Sequence, residues 1–254
     1  MKLAIISDIH ANLVSLKLVL DDIEKRSVDK MVCLGDIVEL GPQPHETISY
    51  LKRLGGLMVM GNEDEAVLDA NASRIYANET DAKIHDIDRW TFDRLTNGDL
   101  DYIRSFERSL VISLRESGTQ LLLCHGSPRS NKERILSTSP SDGELQQMIS
   151  GFDLPLMVAC GHTHTQMLRR LNGSVVFLNP GSVGMPFRDD VLLDQSKMIF
   201  RYAPRAEYAI VTLESDGKIF VEFRTLPVDT KKVEESIQTS GMPHSDWLIS
   251  HWRI

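Results

Sequence analysis

Short apolar runs recur along the chain, separated by stretches whose apolar residues fall at helical spacing. Leu3 to Ser7, Met31 to Leu34, Leu57 to Met60, Leu121 to Cys124 and Leu156 to Cys160 are the length of strands covered on both faces. After the first, Leu13, Leu16, Leu20 and Ile23 share one helical face, and Asn12 stands where a cap belongs. Gly41 to Pro44 forms a loop before a helix from about Glu46 to Leu54. This alternation predicts parallel strands joined by crossover helices. Between Glu65 and Phe106 the apolar residues scatter among charges, which predicts a helical insertion leaning over the strand ends. From Leu110 the pattern turns to hairpins: Leu110–Leu114 with Gln120–Cys124 around Glu116-Ser117-Gly118, Gln166–Leu171 with Ser174–Leu178 around Asn172-Gly173, and Tyr208–Leu213 with Ile219–Leu226 around Asp216-Gly217. A short helix is expected over Asp142–Ile149. Phe187 to Tyr202 has no clear pattern. The expected organisation is one domain over 1–226 with insertions at about 65–108 and 187–203. A tail over 227–254 completes it, with a helical patch at Val233–Ile237, and its Trp247 and Trp252 either dock on the domain or pair subunits.

The polar residues that end the apolar runs carry the chemistry. The runs lead into Asp8-Ile9-His10, Gly35-Asp36, Gly61-Asn62-Glu63-Asp64, His125-Gly126 and Gly161-His162-Thr163-His164. A histidine pair at one strand end serves equally well on a surface, but the same pattern repeated at several strand ends converges on one site, because ligands bind at the carboxyl ends of strands in open α/β sheets. Imidazoles, carboxylates and one amide form a nitrogen and oxygen set suited to Mn, Fe, Zn or a similar first-row ion. Seven donors exceed one tetrahedral ion and divide between two ions sharing a carboxylate. Cys33, Cys124 and Cys160 lie inside apolar runs without CxxC spacing and read as reduced core thiols.

At 254 residues, 42% hydrophobic and 25% charged, the composition is that of a globular protein and excludes extended disorder. No apolar run approaches a membrane span, and Met1-Lys2 leads directly into a strand, leaving no room for a signal peptide, so a cytoplasmic protein is expected. A net charge of −8 disfavours extended nucleic-acid binding. An anionic substrate must therefore be attracted locally: two divalent ions against Asp8 and Asp36 leave a positive surplus that fits a small phosphate ester.

In this order the motifs Asp8-x-His10, Gly35-Asp36, Gly61-Asn62, His125-Gly126 and Gly161-His162-x-His164 resemble the calcineurin-like metallophosphoesterases, over Met1 to about Leu226. Asn179-Pro180-Gly181-Ser182-Val183-Gly184 is similar to a run found in their compact prokaryotic branch. The resemblance implies an α/β fold, a four-layer α/β/β/α sandwich of two mixed sheets. It implies that Asp8, His10 and His164 bind one divalent transition metal ion, that Asn62, His125 and His162 bind a second, and that Asp36 bridges. Mn is the first expectation, with Fe, Zn, Ni or Co as alternatives. A hydroxide between the metals would attack phosphorus in line, so Asp36, Asn62 and His125 count as catalytic. The departure is Glu63, where family members commonly carry the histidine that assists the leaving group. A carboxylate beside two cations is expected to have a depressed pKa and to make a poor general acid; otherwise Glu63 is a helix-start residue favoured by the dipole. A phosphodiesterase is therefore expected. The alternatives are a phosphomonoesterase, a dinucleoside polyphosphate or protein phosphatase distinguished by the pocket that residues 65–108 and 187–203 shape, and a non-catalytic scaffold, which a loss of ligands would favour. A homo-oligomer is possible; a membrane partner is not expected.

Overall fold

A computed structural model of the chain describes residues 1–70, 75–113, 118, 120–152, 157–171, 175–188 and 201–252. The apolar runs become strands of two sheets rather than one. In the first, β1 (Lys2–Ile6), β2 (Lys30–Cys33) and β3 (Leu57–Met58) run parallel, and the hairpin of β9 (Arg205–Leu213) and β10 (Ile219–Pro227) adds to β1 antiparallel, giving the order β10-β9-β1-β2-β3. In the second, β4 (Ser109–Ser113), β5 (Gln120–Cys124), β6 (Met157–Ala159), β7 (Gln166–Leu171) and β8 (Val175–Pro180) are ordered β4-β5-β6-β8-β7. Here β5, β6 and β8 are parallel, and β4 and β7 close the edges antiparallel.

Side-chain alternation along each strand builds the layers. Leu3 and Ile5 of β1 meet Leu121, Leu123, Met157 and Ala159 in a core between the sheets. Ala4 and Ile6 face the other way, into a core with helices. Leu122, Cys124, Val158 and Cys160 face outward from the second sheet onto Leu145, Met148 and Ile149. The result is helix, sheet, sheet, helix, with the two mixed sheets inside.

The helix α1 (Leu13–Glu24) starts where the Asn12 side chain accepts from the Ser15 N–H at 3.0 Å, and it buries Leu16 and Val19 completely. Burying a side chain of that kind stabilises by about 1.5–3 kcal/mol. The second helix, α2 (Pro44–Leu54), begins before the expected Glu46, since proline suits a helical first turn. α3 (Asn62–Leu68), α4 (Glu79–Arg94) and α5 (Asn97–Arg104) fill the region expected to be helical, and Ile87, Leu95, Leu100 and Ile103 pack into the first helical core. α6 (Asp142–Met148) covers the second sheet, its Ser141 and Glu144 forming a reciprocal cap.

β3 is shorter than the Leu57–Met60 run suggested. Beyond Met58 the backbone turns to a new partner: Val59 bridges Glu107, and the Met60 N–H donates to the Glu107 carbonyl at 2.8 Å. The strands flanking Asn172-Gly173 and Glu116-Ser117 do pair antiparallel, whereas those turn residues lie outside the described residues. Most of the segment expected at 187–203 also lies outside them; at its ends Phe187 and Tyr202 form an antiparallel bridge. The tail forms α7 (Thr230–Ser240) and α8 (Ser245–Ser250) and docks on the first helical core, where Trp252 is only 4% exposed and Trp247 packs against it. Among the described residues no helix is long and apolar enough to cross a membrane.

Candidate metal centre

Every donor singled out in the sequence stands just past the carboxyl end of a strand. Asp8 and His10 come after β1, Asp36 after β2 and Asn62 after β3, all on the first sheet; His125 comes after β5, and His162 and His164 after β6 on the second. The centre sits where the ends of two sheets meet. The turns delivering these side chains are unusual: φ is 55° at Asp8, 48° at His10, 53° at Asp36, 66° at His162 and 54° at His164. Left-handed backbone costs non-glycine residues energy and persists where surrounding contacts hold it, which happens most at functional sites.

Those contacts can be named. The Asp8 N–H donates to the Gly35 carbonyl and the His10 N–H to the Asp36 carbonyl, each at 3.0 Å. The Asn179–Gly184 run straps the β1 loop from the far side: the Val183 N–H donates to the Ser7 carbonyl, and the Gly184 N–H and Ser182 Oγ donate to the Asp8 carbonyl. A Cβ on Gly184 would run into the Ile9 carbonyl, and one on Gly61 into Asp36, so neither position has room for a side chain. Asp64, fully buried, accepts from the N–H groups of Asp36 and Ile37 at 2.8 Å and of Gly61 at 3.1 Å, locking the start of α3 to the Asp36 loop.

The side chains converge in two groups sharing Asp36. Asp8, His10, Asp36 and His164 present donor atoms within 4.8 Å of one another, as do Asp36, His125 and His162. Asn62 Oδ1 joins the second group, 3.0 Å from His125 Nε2, which is also 3.2 Å from Asp36 Oδ2. Three imidazoles have Nδ1 against a main-chain carbonyl: His10 on Glu39 at 3.0 Å, His125 on Leu34 at 2.7 Å and His164 on Met185 at 2.7 Å. A carbonyl only accepts, so each Nδ1 carries the proton and each neutral ring presents a bare Nε2 lone pair inward. His10 Nε2 and His164 Nε2 then face each other at 3.1 Å, and His125 Nε2 faces two oxygens. Acceptors aimed at acceptors are repulsive unless a cation lies between them, either an extra proton or a metal ion. A nitrogen and oxygen donor set of this kind fits divalent first-row metals.

The protonation states of the chain itself agree. Burial opposes ionisation of Asp36 and Asp8, yet the His125 charge and hydrogen bond hold Asp36 well below the carboxylate range, and His164 does the same for Asp8. Burial pushes His10 down to about 4, helped by His164; burial and His125 push His162 down to about 4. Against its burial, His125 rises to about 10 beside Asp36, and His164 rises beside Asp8. The pocket thus keeps carboxylates charged and retains positive charge among them.

Glu63 has surroundings that the sequence alone does not show. Its Oε1 accepts from Asn62 Nδ2 at 2.7 Å, which turns the Asn62 oxygen toward His125 and the centre. Its carboxylate also lies within 4.8 Å of those of Glu39 and Asp88, Glu39 wholly buried after β2 and Asp88 wholly buried on α4. Burial first, then the negative charges of Asp36 and Asp88, push Glu63 up to about 8 in the metal-free chain. The downward expectation belongs to the metal-loaded site, where two cations would oppose the burial and the neighbouring acids. Sequence reasoning gave no role to Asp64, the Met185 and Leu34 carbonyls, Glu39 or Asp88. A Gly-Asn-x-Asp spacing could have pointed to Asp64; carbonyl partners and a lone acid on an amphipathic helix leave no sequence signal.

A cluster of strand-end carboxylates and carbonyl-anchored histidines between two mixed sheets defines a metallophosphoesterase fold, and the chain belongs to the calcineurin-like phosphoesterase superfamily, whose domain matches residues 1–215. It is 30% identical over 262 residues to the uncharacterized protein MJ0912 of Methanocaldococcus jannaschii, covering 97% of this chain and 95% of that one. The crystal structure of a metallophosphoesterase from Sphaerobacter thermophilus is similar at 26% identity with a TM-score of 0.71, covering 99% of this chain and 98% of that one. The fold is also that of hypothetical protein PH1004 from Pyrococcus horikoshii OT3, with a TM-score of 0.78 at 18% identity and the same coverage. The resemblance read from the motifs is thereby borne out, as is the sandwich of two mixed sheets.

Proposed function

We propose that the chain is a dinuclear metal-dependent phosphodiesterase acting on a small phosphodiester. The observation carrying this reading is the set of inward Nε2 atoms at His10, His125 and His164 that converge on each other and on the oxygens of Asp8, Asp36 and Asn62, an arrangement that needs a cation among them. Asp8, His10 and His164 would hold one ion and Asn62, His125 and His162 the other, with Asp36 common to both. Bound there, two divalent cations would supply Lewis acidity at phosphorus and lower the pKa of a water molecule. The chain's own part is placement. The carbonyls of Glu39, Leu34 and Met185 fix three ring tautomers, Glu63 fixes the Asn62 amide, and the Glu63 N–H holds Asp36 Oδ1 at 2.9 Å. His162 is only partly buried and marks the open side of the centre.

Preference for a diester rests on charge and on the missing imidazole. Glu63 fills the place of the usual acid and stands in a group with Glu39 and Asp88. With two cations bound these acids would be drawn into the charged form, and nearby carboxylates would repel a monoester dianion more than a diester monoanion. Of the four histidines outside the centre, His45 pairs with Asp99, His244 with Asp86 and His251 with the Trp247 carbonyl, while His85 Nδ1 lies 4.0 Å from Asp88 Oδ2. Reconstitution with Mn, elemental analysis and kinetics on bis(p-nitrophenyl) phosphate and p-nitrophenyl phosphate test the proposal. The expected result is close to two metals per chain and a higher kcat/KM for the diester. A preference for the monoester would make the protein a phosphomonoesterase, and metal content near zero with no metal-dependent turnover would leave only the scaffold reading.

A further inference from the structure

The His164 ring lies at one end of a column of aromatic side chains that runs to the C-terminal segment. Phe187 stacks on it with ring centres 4.7 Å apart and planes 15° from parallel. Tyr202 stacks on Phe187 at 6.1 Å and 12°, and Trp252 closes on Tyr202 at 5.2 Å. On its other side His164 meets His10 at 4.8 Å. The backbone ties the same residues: Phe187 and Tyr202 form a β-bridge, the Ala203 N–H donates to the Pro186 carbonyl at 2.8 Å, and the Tyr202 N–H donates to the His251 carbonyl at 2.9 Å. Tyr202 and Trp252 are 7% and 4% exposed, so this end of the column is anchored in the core.

We infer that Phe187 is a positioning residue for His164, and that through Tyr202 and Trp252 the C-terminal segment forms part of one half of the metal centre. This rests on the dinuclear reading above. The hydrogen bond from His164 Nδ1 to the Met185 carbonyl fixes one point of the ring but not its plane. His164 also leaves a backbone of φ 54°, a conformation that needs external support. A flat ring against its face supplies the missing constraint and aims Nε2 at Asp8 Oδ1, 3.4 Å away. Phe187 stacks with both His164 and Tyr202, so its ring is committed to the column rather than offered to a substrate. His125, on the other half, meets His162 edge-on at 5.2 Å and takes no part in this column. The two halves therefore differ: the Asp8, His10, His164 half is buttressed by the tail, and among the described residues the Asn62, His125, His162 half has no such column.

The test is metal binding measured on the full chain. Co(II) or Mn(II) is titrated calorimetrically into wild type, Phe187→Ala, Phe187→Leu and Phe187→Tyr, with the Co(II) visible spectrum recorded at each equivalent. Partners that orient a metal-binding histidine are typically worth about 10–100-fold in affinity. Phe187→Ala and Phe187→Leu should weaken one of the two equivalents by that factor and alter its spectrum, leaving the other unchanged, and Phe187→Tyr should restore both. Trp252→Leu, acting from the anchored end, should weaken the same equivalent less and serves if Phe187→Ala does not fold. Unaltered binding in every variant overturns the inference. So does equal weakening of both equivalents in step with a lowered unfolding midpoint, which would mean that the ring only packs. A wild-type chain that takes up fewer than two metals overturns the dinuclear reading itself, and this inference with it.

Discussion

Asp36 is shared by both halves of the centre, whereas His10 serves one. Outer partners alone are worth about 10–100-fold, so losing a common ligand should exceed that: Asp36→Asn is expected to lose both metals and His10→Ala one, with turnover lower in Asp36→Asn by a further tenfold or more. Metal content and kinetics of the two variants decide it, and two metals retained in Asp36→Asn would remove the bridging role. Glu63 bears two expectations that pull apart. If its task is to orient the Asn62 amide, Glu63→Gln, which keeps an acceptor oxygen, should bind metal better than Glu63→Ala. If it also occupies the acid's position, Glu63→His should raise monoester kcat/KM relative to diester, up to the ~10²–10⁴ that general acid help gives. An unmoved ratio would leave orientation as its task. The donors themselves were legible because Asp, His and Asn directly after apolar strands have few other uses at that density. The opposite holds for Glu39. It reads as one acid between Val38 and Leu40, and only the fold shows that its carbonyl orients His10 while its side chain is buried beside Glu63 and Asp88.

Elements were legible wherever one face had to be apolar. Asn12 and the Leu13, Leu16, Leu20, Ile23 stripe marked α1, and the strand-length runs marked all three edge hairpins. β3 was overread because Val59 and Met60 are as apolar as a strand, yet they pair with Glu107 and turn the chain toward α3. α8 was missed because its six residues are too short for a period to show. What sequence could not convey is that α3 is pinned through one acid. Asp64 takes three buried main-chain N–H groups, and an unpaired buried donor costs about 1–3 kcal/mol. Asp64→Ala is therefore expected to destabilise the chain by more than about 3 kcal/mol and to loosen Asp36 with it. Denaturant unfolding with and without Mn would measure this; a loss under about 1 kcal/mol would show that water replaces the carboxylate.

At the scale of the whole molecule the donors come from both sheets, so bound metal should staple the sheets together and raise the unfolding temperature in proportion to its affinity. Proton uptake gives the metal-free chain its own signature. Folded Glu63 and Asp64 keep protons up to about 8 and about 7, Glu39 is raised well above its ordinary range by burial among other acids, and His125 reaches about 10. Unfolded carboxyls would release theirs near 4.5 and 3.8, and histidine near 6.5. Between pH 6.5 and 8 the folded chain thus binds more protons, and stability falls as pH rises, by about 1.4 kcal/mol per pH unit for each proton so retained. His10 and His162, lowered to about 4, act in the opposite sense only below about pH 6.5. Denaturation midpoints at both pH values, in chelator and in Mn, should show a drop without metal that shrinks with it. A flat profile in chelator would refute these charge states. The pairing of β1 with β9 bears on how the molecule is made. Leu3 has Val211, far along the chain, as its partner, and β2 and β3 alone cannot cover that side of β1. A chain growing from the ribosome must carry an open β1 edge until β9 has been synthesised. Such late closure between distant segments slows folding and prolongs exposure to wrong pairings.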